Sequence, residues 1–243
     1  MDLQRSRQPA RRRARAGRIG PKPALRRAPK TAAGRRTPDP RRVARAVAGL
    51  IRALRLDPAT EPELRQTPER VADLYAEIFA GLDPGAEPKP ATFAAGEASL
   101  AGGRRAGDVV VVRDLPFYSL CVHHFVPFFG HAHVAYLPGK RLIGLSGVAR
   151  VLEYYARRPQ VQERLTAQVA DHLMRLLRPR GVAVVVEGRH LCMEMRGVRK
   201  TGVFETRALR GVLARPAWAD LLVRGPGRAG ANRARRRSRG SAG

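Results

Sequence analysis

The two cysteines of the chain each stand close to histidines. Cys121 and His124 have Cys-x2-His spacing, and Cys192 follows His190 by two positions. Zinc accepts thiolate and imidazole ligands together, and a set of two cysteines and one histidine leaves a fourth position open for water. The pattern therefore predicts a catalytic metal site more than a disulfide. Two buried free cysteines with incidental histidines are the alternative, because the chain has no closed CxxC…CxxC pattern.

The elements that must position these residues begin near Arg41. Apolar residues at helical spacing predict an amphipathic helix there, and Thr67-Pro-Glu predicts the start of a second helix with Thr67 as its cap. Two further helices are expected, one capped by Ser146 and one beginning near Pro159. Residues 83–107 have the composition of a loop. Apolar, β-branched runs predict strands over 109–112, 128–136, 141–144 and 182–186.

The second cysteine is expected on a strand that follows a tight hairpin turn at Gly188-Arg189. Alternation along that strand puts four polar residues on one face, namely His190, Cys192, Glu194 and Arg196. That face would gather a metal ligand, a candidate proton donor and a candidate anion-binding group. The order of elements predicts an α+β domain in which helices cover one face of an antiparallel sheet.

The formal net charge of +27 is concentrated at the two ends of the chain. Residues 1–40 and 225–243 are rich in Arg, Ala and Gly, and they cannot bury enough apolar surface to offset the entropy of ordering. We therefore expect a disordered Arg-rich tail over 1–40, a helical segment and loop over 41–107, a catalytic domain over 108–215 and a basic tail over 216–243.

Such tails could attract nucleic acid weakly and without sequence preference. The alternative is that the tails are merely solvated, and we favour it because neither interleaves aromatic residues for base stacking. The N-terminal tail lacks the apolar run of a secretory signal, and we find no stretch of about twenty apolar residues to span a membrane. A cytoplasmic protein without membrane contact is expected.

Seven short stretches of the chain match known motifs in order and in spacing. They are Thr67-Pro-Glu-Arg-Val-Ala, Glu77-Ile-Phe-Ala-Gly-Leu82, Cys121-Val-His-His124, Ile143-Gly-Leu-Ser146, Arg158-Pro-Gln-Val-Gln-Glu-Arg-Leu165, His190-Leu-Cys192 and Met195-Arg-Gly197. Together they resemble the GTP cyclohydrolase I family. The resemblance covers roughly residues 41–213 and leaves out both tails. The conjunction of the motifs carries it, since no single motif is specific enough alone.

The resemblance implies the conversion of GTP and water to formate and 7,8-dihydroneopterin triphosphate, which opens the pterin and folate route. It implies that Cys121, His124 and Cys192 hold a zinc ion, which lowers the pKa of a water molecule for attack on C8 of the guanine. His123 would protonate a ring nitrogen, with His190 assisting, because unperturbed imidazole titrates near neutral pH.

The resemblance also implies a substrate site. Ser146 would act near the ribose, where the opened sugar rearranges. Glu163 would accept hydrogen bonds from the guanine N–H groups, with Gln162 beside it, and so discriminate guanine from adenine. Three arginines would bind the triphosphate through forked, charge-assisted hydrogen bonds, namely Arg70, Arg150 and Arg196.

The family fold is a tunnelling arrangement in which small α+β subunits complete one another's sheets. Five subunits form a ring, and two rings stack into a toroidal homodecamer with active sites at subunit interfaces. The resemblance therefore implies GTP and other copies of the chain as partners, with assembly as a condition of activity.

Three positions depart from the family pattern. Val122 stands where the family commonly has Glu, and Asp73 and Gly147 stand where it often has lysines associated with triphosphate binding. These departures motivate an alternative hypothesis. The chain would then be a diverged family member that acts on a related purine or pterin nucleotide, or a weakly active copy that regulates a true cyclohydrolase.

Overall fold

Two helices that pack against each other open the described part of the chain. The computed structural model describes residues 37–94 and 109–214. Helix α1 spans Pro40–Ala53, and the Asp39 carboxylate caps it by accepting a hydrogen bond from the backbone N–H of Arg42. Helix α2 spans Thr67–Ile78. Both predicted N-terminal helices are therefore confirmed.

The predicted capping roles of Thr67 and Ser146 are wrong. A 3-10 turn runs directly into α2, so Thr67 already has helical dihedral angles (φ −60°, ψ −40°) rather than the extended ones that a side-chain cap requires. Helix α3 spans Leu145–Ala156 and begins after Gly144, which makes Ser146 its second residue. Helix α4 spans Gln162–Leu177, slightly later than predicted.

The strands form two sheets. Strands β1, Thr92–Ala94, and β4, Arg141–Ile143, pair as a small antiparallel sheet. The larger sheet contains β2 (Val110–Cys121), β3 (Pro127–Leu137), β5 (Pro159–Gln160), β6 (Gly181–His190) and β7 (Phe204–Gly211). Their order is β5-β2-β3-β6-β7, and every pairing is antiparallel except that of β2 with β5. Strand β2 is much longer than predicted and ends at Cys121, the first of the two cysteines predicted to bind a metal.

One face of the larger sheet is covered by α3 and α4, and the main core lies between them. Alternate side chains of the sheet and one stripe of α4 are almost fully buried there, including Phe128, Ala132, Val134, Val182, Val184, Val186, Leu165, Val169 and Leu173. This arrangement confirms the predicted α+β class with helices packed on an antiparallel sheet. On the opposite face of the sheet, Ala135 and Ala183 pack against Leu213.

The predicted hairpin turn at Gly188-Arg189 is wrong. Both residues lie inside β6, opposite Gly130 and Phe129 of β3. The glycine marks a close approach instead of a turn, because a Cβ at position 188 would lie 2.4 Å from Oε1 of Gln162. Strand β6 continues to His190, and the next residues form a single helical turn, so the predicted alternating strand after the turn is also wrong.

Residues 1–36, 95–108 and 215–243 lie outside the described part of the structure. The predictions for the two tails and for a domain boundary between residues 107 and 108 fall there and stay predictions. No helix within residues 37–94 or 109–214 is long and apolar enough to cross a membrane.

Candidate active site

The predicted metal ligands meet at one edge of the larger sheet. Strands β2 and β6 both pair antiparallel to β3, so they run in the same direction and their last residues lie at the same edge. Cys121 ends β2, and Cys192 lies on α5, Leu191–Glu194, directly after β6. A tight turn after β2, in which the N–H of Phe125 donates to the carbonyl of Cys121 (2.8 Å), brings His124 back. The ligand atoms of Cys121, His124 and Cys192 lie within 4.8 Å of one another.

The chemistry of this donor set fits a metal ion. Both cysteines are free, and Cys121 is buried. Burial and the hydrogen bond and charge of Cys121 raise the pKa of the Cys192 thiol. Two thiolates held this close repel each other, and a cation bound between them removes that cost. Two cysteines and one histidine suit zinc, and they leave one coordination position open.

A cavity of about 350 Å³ opens beside the metal-type group, the set of candidate ligands formed by Cys121, His124 and Cys192. This volume lies within the range of small-molecule sites, which is roughly 300–1,000 Å³. Among the residues that line it are six that the sequence singled out, namely Cys121, His123, Gln162, Glu163, His190 and Cys192. Apolar walls are supplied by Val161, Val203 and Phe204. A flat ring with polar edges would fit such a lining.

Gln162 fixes the orientation of the His190 ring. The Gln162 side chain is 1% exposed, and its amide nitrogen donates to the carbonyls of Val186 (2.9 Å) and Phe204 (2.8 Å). Its amide oxygen therefore faces His190 Nε2, at 2.9 Å. Because that oxygen can only accept, Nε2 of the neutral ring must carry the proton. The nitrogen left to take up a proton from another group is Nδ1.

The surroundings of His190 favour the neutral ring. Phe128 stacks on it in parallel, with ring centroids 4.7 Å apart, and Phe204 meets it edge-on at 5.8 Å. Burial lowers the pKa of His190, while the carboxylates of Glu163 and Glu194 partly oppose this effect. A histidine with a lowered pKa is uncharged near neutral pH and can accept a proton.

Comparison with known proteins decides which family has this site. The family model described as GTP cyclohydrolase I matches residues 43–220, well over half of the chain. The chain belongs to the GTP cyclohydrolase I family. It is therefore an enzyme of the GTP cyclohydrolase I type, as the motifs predicted.

Curated relatives agree with this assignment over most of their length. GTP cyclohydrolase 1 of Mycolicibacterium vanbaalenii is 51% identical over 196 residues, covering 76% of this chain and 92% of the relative. The Halalkalibacterium halodurans protein of that name is 47% identical, with 76% and 95% covered. Among solved structures, the apo archaeosine synthase QueF-Like matches 44% of this chain and 97% of its own at 16% identity, and its TM-score of 0.35 is too low to support an argument.

Three residues that the GTP cyclohydrolase I motifs pointed to do not line the cavity. Ser146 and Arg150 are exposed on α3, and Arg70 is exposed on α2. The Arg70 guanidinium donates to the side-chain oxygen of Gln66 at 3.0 Å, within its own segment. The roles of these three residues toward the substrate stay predictions.

Arg196 is the one predicted triphosphate-binding arginine that lies beside the metal-type group. Its Nη1 atom is 2.9 Å from Nε2 of His124. It belongs to the exposed segment that follows α5. A guanidinium at this position adds positive charge next to the cavity, as binding of a phosphate chain requires.

Glu194 does not share a strand face with His190 and Cys192, contrary to the prediction from the sequence. Because α5 is helical, Glu194 binds the guanidinium of Arg189 instead. Hydrogen bonds from Arg189 lower the pKa of Glu194, so the carboxyl group is ionised near neutral pH. Sequence reasoning also missed Phe128 and Phe204, which hold the His190 ring. Phe128 stands opposite His190 in the β3–β6 register, and such a register cannot be read from spacing alone.

Proposed function

We propose that this chain catalyses the zinc-dependent conversion of GTP and water to formate and 7,8-dihydroneopterin triphosphate. The observation that carries the proposal is the meeting of the Cys121–His124–Cys192 group with His190 at one cavity. Opening a guanine ring needs an activated water molecule, proton carriers and a group that recognises the base. Residues of each kind border this one cavity.

Cys121, His124 and Cys192 would hold the zinc ion, which when bound supplies a water molecule of lowered pKa. The other residues bind and orient the base and exclude bulk water. The apolar residues Val203 and Phe204 give the guanine ring a surface to lie against. A base that covers these walls would exclude water from them and so strengthen the polar interactions inside the cavity.

Base recognition is assigned to Glu163. This residue lies in the first turn of α4 and lines the cavity. Its carboxylate can accept two hydrogen bonds side by side, which matches the adjacent N1–H and amino group of guanine. Adenine presents no N1–H there and would leave the carboxylate without a donor, so we expect strong discrimination against it.

Proton transfer is assigned to His123 and His190. His123 is exposed, and its Nδ1 lies 3.6 Å from Sγ of Cys121, so it is close to the metal group. We propose that His123 protonates a ring nitrogen as the C–N bonds break, and that His190 assists through Nδ1. Gln162, first expected to bind substrate, would act through the orientation of His190, because its own side chain is buried and fully engaged.

Triphosphate binding is assigned to Arg196 from the chain that holds the cavity and to Arg70 and Arg150 from neighbouring copies. The latter two arginines are exposed and absent from the cavity lining, as is Ser146, which would act on the ribose. We propose that the chain has the tunnelling fold and assembles as a toroidal homodecamer of two pentamers. In such an assembly neighbouring copies would complete each site.

The domain organisation and location proposed from the sequence complete this picture. Residues 41–107 would form the helical segment with its loop and residues 108–215 the catalytic domain, flanked by basic tails over 1–40 and 216–243. A reducing cytoplasm would keep both metal-binding cysteines as thiols. Weak nucleic-acid binding by the tails stays a prediction, and deletion of both tails would abolish any salt-sensitive DNA binding.

The test is GTP turnover by the purified chain, with formate and a fluorescent pterin followed separately, with and without a chelator. Formation of both products, lost with the chelator and restored by Zn²⁺, would support the proposal. His123→Ala should keep zinc and lose turnover. Formate without pterin would mean that the ring opens but the ribose does not rearrange. No turnover by a zinc-loaded, assembled protein would contradict the proposal.

The second candidate is a diverged family member with a different preference for substrate phosphates. The observation that favours it is the packing at Gly147, where a Cβ would lie 2.6 Å from Ile143 Cγ1 and 2.8 Å from Pro90 Cβ. A lysine at this position would need the 88–92 segment to move. A lower KM for GDP or a pterin nucleotide than for GTP would favour this candidate.

A further inference from the structure

The helix that carries Cys192 has little of its own to hold it in place. Helix α5 is one turn long, begins directly at the end of β6 and has no side-chain cap. None of its four residues is fully buried. A single helical turn is unstable by itself, because one hydrogen bond does not offset the entropy of fixing three residues. The Cys192 thiol must nevertheless stay within reach of two ligands that come from the end of β2.

The last residue of α5 is held by a forked ion pair. The Arg189 guanidinium donates from Nε to Glu194 Oε1 at 3.0 Å and from Nη2 to Oε2 at 2.6 Å. The Glu194 side chain is only 7% exposed, although it ends a surface turn. It also accepts a backbone hydrogen bond from Gly202, which lies on the cavity lining. Two parallel bonds fix both the distance and the direction of a carboxylate.

Arg189 is itself supported by the sheet. It lies in β6 next to His190, so its side chain points to the face opposite the one that α3 and α4 cover. Its guanidinium carbon is 5.8 Å from the centroid of the Phe129 ring of β3. Phe129 in turn stacks on Tyr118 of β2, with centroids 5.8 Å apart. A row of three side chains across three strands therefore leads to Glu194.

We propose that Arg189 and Glu194 are a positioning pair for the metal ligand Cys192. The pair ties the free end of α5 to the rigid sheet, and it thereby holds the Cys192 thiol at the distance that the Cys121–His124 half of the site requires. Neither side chain lines the cavity, so the pair acts by positioning: it holds Cys192 and, through the hydrogen bond from Gly202, the adjoining part of the cavity wall. The inference rests on the proposed function only in taking zinc as the metal.

The first measurement is the zinc affinity of the full-length chain, by competition with a chromophoric chelator. Glu194→Gln and Arg189→Gln should each weaken zinc binding by about tenfold, since removal of a group that orients a metal ligand typically costs 10–100-fold. The double variant should bind no more weakly than the weaker single variant, because the two side chains act as one unit. Wild-type affinity in both single variants would overturn the proposal.

The matched control is Glu153→Gln, which breaks an ion pair of the same chemistry on α3. Glu153 accepts from Nε of Arg157 at 2.5 Å, and no ion pair joins it to α5 in the described structure. It should leave zinc affinity unchanged. A loss equal to that of Glu194→Gln would show that the effect is one of general stability, and it would also overturn the proposal.

The second measurement reports the geometry at the metal directly. Co²⁺ in place of Zn²⁺ gives thiolate charge-transfer and ligand-field bands that respond to the Cys192–metal bond. We expect these bands to change in Arg189→Gln and to recover in part in Arg189→Lys, which keeps the charge but loses the fork. Arg189 is half exposed, so this series remains a test even if Glu194→Gln fails to fold. Unchanged bands in every variant would overturn the proposal.

Neither measurement involves GTP, so the two proposals can fail separately. Pair-dependent zinc binding by a chain that releases no formate from GTP would overturn the proposed function and support the positioning pair. Full GTP turnover with zinc affinity that ignores Arg189 and Glu194 would do the reverse.

Discussion

The candidate site residues on the wall of the cavity differ from those on the exposed surface of α2 and α3 in how firmly they are held and how exposed they are. On the wall, His190 is stacked on Phe128 and hydrogen-bonded to a buried Gln162. On the surface, Arg70 and Arg150 are exposed and lie outside the cavity lining. The residues proposed for proton and metal chemistry thus lie together within one chain. Of the three arginines proposed to bind the phosphates, only Arg196 lies beside them.

This difference has a physical reason. Proton transfer depends on atoms placed to within a fraction of an ångström, and a stacked, hydrogen-bonded ring in a single strand register provides that. A triphosphate is long and highly charged, and arginines can bind it through charge and forked hydrogen bonds from several directions. Residues of the second kind can therefore come from separate elements or from other copies.

The largest effect is expected on the wall, at the metal group itself. Cys192→Ala should remove zinc and lower turnover by at least about 10³-fold, because a metal ion contributes several kcal/mol to such reactions. Zinc content by atomic absorption and formate release check this together. Cys192→His, which keeps a ligand, should retain part of the zinc. Zinc bound with wild-type affinity to Cys192→Ala would remove Cys192 from the ligand set.

The next largest effect tests whether turnover depends on the orientation of the His190 ring as well as on its presence. Gln162→Met keeps the volume but leaves two buried carbonyls without donors, which should lower the free energy of unfolding by about 1–3 kcal/mol. It also frees the His190 ring, so kcat should fall roughly 10²-fold. Zinc content should not change. Gln168→Met on the same helix is the control, and an effect on KM alone would mean that Gln162 contacts the substrate instead.

Substitutions on the exposed surface of α2 and α3 are expected to have weaker effects and to change KM instead of kcat. Arg70→Ala or Arg150→Ala should raise KM for GTP by about tenfold with little change in kcat, since each would remove the charge-assisted phosphate contact proposed for that residue. The wild-type KM for GTP should return in part when subunits of Arg70→Ala and His123→Ala are mixed and reassembled, because some sites would then take both intact residues from different copies. No recovery on mixing would mean that each chain completes its own site.

Much of the wall could be predicted from the sequence, because the information is local. The Cys-x2-His spacing belongs to one turn, and the stripe of apolar residues along α4 has a helical period. The long β2 was less predictable. Asp114 and Pro116 look like the end of a strand, but a bulge accommodates Asp114 at φ 55°. Pro116 is tolerated because β5 pairs with β2 only at Leu120 and Cys121.

The segment around Cys192 was predicted wrongly, because the same residues fit two local structures. Gly188 is equally suited to a tight turn and to a close backbone approach, and only the buried Gln162 side chain decides between them. A strand after the turn would have put Glu194 on the same face as His190 and Cys192. One helical turn puts it on Arg189 instead. Such a choice depends on contacts between distant segments, which spacing within one segment does not report.

The smallest expected effect is on stability and lies away from the cavity wall, where Glu87 contacts α4. His172 of α4 is buried, with Nδ1 3.3 Å from Glu87 Oε1 and 3.1 Å from the Tyr155 hydroxyl. Burial lowers the pKa of His172; the Glu87 carboxylate opposes this, and the Arg175 guanidinium adds to it. The folded chain therefore holds His172 neutral at a pH where the unfolded chain, with a pKa near 6.5, already binds a proton.

The sign of the resulting pH dependence follows from that difference. The contribution of neutral His172 to the free energy of unfolding is fully present above about pH 6.5. It falls as the pH drops toward the pKa of His172 in the folded chain, by at most about 1.4 kcal/mol per pH unit for one proton. Urea unfolding at about pH 7.5 and 5.5 measures it, and His172→Asn should show a smaller loss. Some loss should remain in that variant, because the pKa of His190 on the wall is lowered too. If His172→Asn loses as much stability between about pH 7.5 and 5.5 as the wild type, the pH dependence comes from His190 on the cavity wall. His172 would then contribute nothing to it.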